Sequence, residues 1–189
     1  MTMASSLSAV VINRLLGHYG GDYAISTFGI INRIMMFAIM PGMVISQGLQ
    51  PILGYNYGAG RYGLALKSML LAIGWATGFC LISFCFLYFL PEVFIRVFTD
   101  DPRLIEQAAH ASKRIYFFLY LVGVAFVGMI SFQALGKVRQ AFITSAARPA
   151  LFLIPLVLIF SHFWGVDGVW WGFATTDALT AIVVGGLLI

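Results

Sequence analysis

Long apolar runs separated by short polar joints set the pattern of this chain. No formally charged residue occurs for 24 positions between Lys67 and Glu92, for 22 between Arg114 and Lys137, or for 18 between Arg148 and Asp167. A helix rises about 1.5 Å per residue, so roughly 20 residues cross a hydrocarbon core about 30 Å thick. The pattern predicts six hydrophobic segments, at 2–16, 23–53, 67–89, 115–135, 150–163 and 169–189. The expected fold is all-α and integral to the membrane, a six-helix transmembrane bundle forming a single lobe over 1–189. The first segment is short and the last has no polar flank, so both read as the cut ends of longer helices.

Composition agrees. Apolar residues make up 61% of the chain and charged residues 10%, and mean hydropathy is +0.95. A soluble domain carries about a quarter charged residues, and this much apolar surface is stable only in lipid. The net charge of +4 does not imply a nucleic-acid partner, because the bases sit in short joints and form no continuous face. Cys80 and Cys85 lie five residues apart within one helical segment and point in different directions, which disfavours a disulfide between them.

Charge sign alternates from joint to joint. Arg61 and Lys67 follow the second segment, and Lys137, Arg139 and Arg148 follow the fourth, with no acid among them. Asp22, the mixed stretch Glu92–Arg114 and Asp167 lie on the other side. The positive-inside rule then puts the joints near Arg61 and Lys137 in the cytoplasm, in a multi-pass protein of the plasma (inner) membrane. Asp100 or Asp101 followed by Pro102 predicts a capped amphipathic helix running to Arg114. Gly74 and Gly78, and likewise Gly168 and Gly172, have the spacing that lets membrane helices approach closely.

Enzyme chemistry has no foothold in the sequence. Gly58-Ala59-Gly60-Arg61 lacks the Lys-Ser/Thr pair of a phosphate loop. His18, His110 and His162 sit at joints or segment ends without the neighbours a metal site or triad needs. The chemistry lies instead in polar groups inside the spans, which are expensive there and mark function by default. Arg33 and Asp177 each lie about 15 Å in from the same side, at 1.5 Å per residue, and matching depth invites pairing. Such a pair either holds two helices in register or lets Asp177 take up a coupling Na+ or H+. Asn32, Met36, Met40, Gln47 and Gln50 of the second segment are candidates for a substrate cleft. Methionines adapt to varied lipophilic ligands, although they also serve as ordinary filler. Pro41-Gly42 near mid-span is the expected hinge, since proline leaves a backbone carbonyl unpartnered.

The run from Pro41 to Gly60, PGMVISQGLQPILGYNYGAG, resembles the eighth helix and following loop of the multidrug and toxic compound extrusion (MATE) family. Asn32-Arg33, Gly136-Lys137, Gly168-Val169-Trp170 and Asp177 extend the resemblance over essentially the whole chain. It implies one lobe, helices seven to twelve, of a twelve-helix transporter with pseudo-symmetric halves. It further implies export of small lipophilic or cationic drugs by alternating access, driven by a Na+ or H+ gradient without another cofactor. The expected partners are the lipid bilayer, those drugs and the missing N-terminal lobe. The sequence departs from the family pattern in lacking that lobe, which carries a coupling carboxylate in many members, and in lacking an acid in the fourth span. The chain is therefore expected to supply one wall of a cleft and to be inactive alone. The alternatives are a flippase for lipid-linked sugars, disfavoured by the scarcity of cations in the spans, and a non-transporting fragment.

Overall fold

The computed structural model describes residues 2–188, with side chains other than those at 2–5, 146, 147 and 150. Met1 and Ile189, the outermost positions of the expected lobe, lie outside the described residues. The described chain is helical almost throughout and contains no strand.

Helix α1 runs from Thr2 to Gly58. Straight, its 57 residues would extend roughly 85 Å, far beyond one bilayer core. It breaks at Gly21, whose φ of 64° and ψ of −160° belong to a region essentially restricted to glycine. The two legs fold back on each other there, and a Cβ at Gly17 would touch Ile25 Cδ1 at 3.5 Å. Straight helices do not bring residues eight apart together. The legs 2–20 and 22–58 are thus spans one and two.

Span three is α2 (Tyr62–Phe89). The short α3 (Pro91–Ile95) follows, then α4 (Pro102–Ile115). The Asp101 carboxylate caps α4, accepting from Arg103 N at 2.9 Å. A 3-10 turn, Tyr116–Leu121, carries the helix into α5 (Val122–Ala134), which completes span four. Span five consists of α6 (Val138–Ala146), a π-helical turn at Ala147–Leu153, and α7 (Ile154–Trp164). Span six is α8 (Val166–Leu188). These elements give a six-span helical bundle.

Span five differs from its sequence reading. A segment at 150–163 is only about 20 Å long at 1.5 Å per residue, too short for the bilayer core. The helical path begins instead at Val138, so Arg148 is a residue of the span and not of the preceding joint.

Packing uses both kinds of contact available in lipid, close backbone approach and interlocked apolar side chains. Ile12 and Leu16 of span one join Ile31, Ile34 and Met35 of span two, Tyr116, Leu119 and Val122 of span four, and Val169 and Trp170 of α8 in one core. Leu49, Leu53, Ala72, Ala76 and Val127 form a second core near the Arg61 end. The Tyr116 hydroxyl donates to the Ile31 carbonyl at 2.8 Å, tying span four to span two. At the opposite end Arg114 reaches Asp167 at 2.7 Å, joining α4 to α8.

The two glycine pairs divide. Gly168 and Gly172 sit where α8 meets α7: a Cβ at Gly168 would collide with the Phe160 carbonyl, and one at Gly172 would stand 2.7 Å from Val157 Cγ2. Gly74 and Gly78 face open space, with nothing within 4 Å, so this pair makes no helix contact among the described residues. Spacing alone does not say which way a helix face turns. Gly168→Ala is accordingly expected to lose about 1–3 kcal/mol through overpacking against backbone. Gly74→Ala should be neutral or gain up to about 1 kcal/mol from helix propensity. Melting temperatures of the two purified variants check the contrast.

Candidate functional site

Spans one, two, four, five and six enclose a cavity of about 430 Å³, within the range that holds drug-sized ligands. Most of its lining is apolar or soft: Phe28, Met35 and Met36 from span two, Phe126 and Met129 from α5, and Phe173 from α8. Asn32, Arg148, Asp177 and a few hydroxyls supply the polar points.

Asp177 is the centre of charge. It sits eleven residues into α8 and is only 3% exposed. The hydroxyls beside it are spent on their own helix, Thr176 donating to the Gly172 carbonyl and Thr180 to the Thr176 carbonyl, each at 2.7 Å. They orient no hydrogen toward the carboxylate. Its partner is Arg148, whose Nε donates to Oδ1 at 2.8 Å. The second oxygen, Oδ2, is buried and accepts no hydrogen bond from a described residue.

Arg148 occupies the π-helical turn, directly before Pro149. Proline brings no N–H to the ladder, and π-turns concentrate at functional sites. Ser8 Oγ of span one donates to the Pro149 carbonyl at 2.9 Å, pinning the turn from across the cavity.

The structure corrects the expected pairing of Arg33 with Asp177. Arg33 is exposed and forms no ion pair with a described residue. Its depth matches that of Asp177, but azimuth decides contact: adjacent residues on a helix are about 100° apart. Asn32 and Met36 therefore turn into the cavity, while Arg33 turns out. Met40 lies on the exposed face and does not line the cavity. Gln47 is likewise exposed and off the cavity. Gln50 shares the azimuth of Asn32 but lies roughly 27 Å farther along the axis, beyond the cavity's end. Helical dihedrals run unbroken through Pro41 and Gly42, the one interruption of α1 being Gly21. Gly42 packs toward Cys80 of α2, where a Cβ would stand 3.4 Å from Sγ.

Arg148 is the site residue that the sequence reading placed elsewhere. A segment as short as 150–163, bounded by an arginine, was itself the signal. Completing the span required carrying the helix back through that arginine.

The sequence profile of the MatE family matches residues 1–159. The chain belongs to this family. Among curated relatives, the multidrug export protein MepA of Staphylococcus aureus (strain N315) is 28% identical over 184 residues, which is 96% of this chain and 40% of the relative. MepA of Staphylococcus haemolyticus (strain JCSC1435) is 24% identical over 97% of this chain and 40% of its own length. Among solved structures, the MATE multidrug transporter DinF-BH, solved as a ligand complex, is 41% identical, with a TM-score of 0.85 over 98% of this chain and 42% of the other. A MATE structure in the straight conformation superposes at a TM-score of 0.90 with 22% identity, over 96% of this chain and 41% of the other, which shows the shared fold. The chain thus spans about two fifths of the length of these MATE relatives. It matches roughly the C-terminal half of these relatives, as a multi-pass membrane lobe.

Proposed function

We propose that this lobe forms one side of a multidrug exporter working by cation-coupled antiport and alternating access. The cavity beside Asp177 takes a lipophilic cationic substrate, and Asp177 takes the coupling Na+ or H+. One observation carries the reading: a buried intramembrane carboxylate, one oxygen of which accepts no hydrogen bond from a described residue, set in a cavity of methionines and aromatic rings. Soft apolar walls accept varied lipophiles while one fixed anion selects for positive charge. The named activities of MepA and DinF-BH support the same direction.

The N-terminal lobe of the complete transporter covers the exposed face of span two, where Arg33, Met40 and Gln47 lie, and Pro41-Gly42 is the point where that span flexes. The Arg61 and Lys137 joints face the cytoplasm from the plasma membrane. With Arg148 inside the span, Lys137 of the joint and Arg139 in the first turn of α6 still carry the positive-inside signal at that end.

The test is ethidium efflux by the gene-length protein carrying Asp177→Asn. Loss of efflux at normal membrane level is the expected result, and efflux equal to the parent's would overturn the reading.

A further inference from the structure

Arg148 engages Asp177 less fully than a permanent tie would. A guanidinium offers five donors in a rigid fork, and its strongest pairing with a carboxylate is bidentate. Here one donor, Nε, meets one oxygen, Oδ1. The Arg148 side chain is 34% exposed, against 3% for that of Asp177. Both residues line the cavity. The exposed partner of the pair is therefore the one free to leave, and the one that stays is sealed beneath it.

A bare carboxylate in the bilayer is costly, so a site that exchanges cations works best when one positive charge always replaces another. We infer that Arg148 is a built-in occupant of the Asp177 cation site, a tethered guanidinium that fills the site when the cavity is empty and swings off when a cationic ligand takes its place. This rests on the reading of Asp177 as the cavity's cation site. Each exchange leaves one positive charge against the carboxylate. The π-helical turn and Pro149 place the tether in the least regular stretch of span five, where a local shift disrupts fewest backbone hydrogen bonds. Competition from the tether reduces the apparent affinity in proportion to the fraction of time the site is open.

Equilibrium binding of ethidium to the purified gene-length protein, read by fluorescence polarisation, tests this in four forms: the parent, Arg148→Gln, Asp177→Asn and the double variant. Arg148→Gln should bind at least about tenfold tighter, as for a site that the tether holds about nine-tenths of the time or more. Asp177→Asn should bind roughly tenfold weaker, having lost the anion and kept a guanidinium without a counter-charge that repels the dye. The double variant should bind more tightly than Asp177→Asn, because that repulsion is gone. This last comparison leaves no bare buried carboxylate, so a missing gain there still overturns the inference even where Arg148→Gln alone fails to fold. No gain in either comparison would make Arg148 a static tie and overturn the inference. Parent-like binding by Asp177→Asn would instead overturn the underlying reading of the site.

Discussion

Asp177→Asn is expected to abolish ion-driven ethidium efflux by the gene-length protein while its membrane level and melting temperature stay near the parent's. Asparagine has nearly the shape of aspartate, and its side-chain oxygen can still accept from Arg148 Nε, which lies 2.8 Å from Oδ1. The guanidinium left without a counter-charge is 34% exposed, so it keeps contact with cavity water and is tolerated. What asparagine cannot do is carry a negative charge, and without that charge neither a proton nor a sodium ion has a reason to stop at this depth. Binding and coupling both fail at one atom pair while the fold survives. The check is the initial rate of dye loss from energised cells, with protein level measured in the same membranes. Asp177→Glu, which keeps the charge one methylene farther out, should retain part of the rate.

Arg148→Ala should act mainly on stability, costing about 3–5 kcal/mol, because it strands a buried carboxylate that no other described residue neutralises. The neighbouring threonines cannot compensate, since their hydroxyls already bond to carbonyls of α8. Replacing both partners, as in Arg148→Met with Asp177→Leu, should recover most of the loss, because a buried pair is often matched by apolar residues of similar volume. Thermal unfolding of the purified variants in detergent measures both effects. Equal melting temperatures for Arg148→Ala and the parent would mean that the pair contributes nothing to the lobe.

The six-span bundle was legible because hydrophobic length is a one-dimensional signal. Runs without charge and joints of alternating sign mark where the chain must turn, and bilayer thickness supplies the ruler. Asp177 was legible for a related reason, as an acid deep in an otherwise uncharged run. Its partner was not. Arg148 reads as a loop residue because arginine beside proline usually ends a span, and only burial against an anion lets the helix continue through it. Arg33 offered itself as the partner on depth, but depth is one coordinate and contact also needs azimuth, which sequence fixes only relative to the residue's own helix. The same missing coordinate separates Gly168 and Gly172, pressed against α7, from Gly74 and Gly78, which face outward. Asn32 and Met36 line the cavity while Arg33 does not, for the same geometrical reason, whereas Gln47 lies about 16 Å beyond Met36 along the axis and past the cavity's end.

Whether the exported cation sits in the cavity beside Asp177 is tested most directly by the structure of the gene-length protein with ethidium bound. The dye is expected between the two legs of α1, α5 and α8, with its charge within about 4 Å of the Asp177 carboxylate and Arg148 turned away. Ethidium bound elsewhere, with the Arg148–Asp177 bond intact, would contradict it.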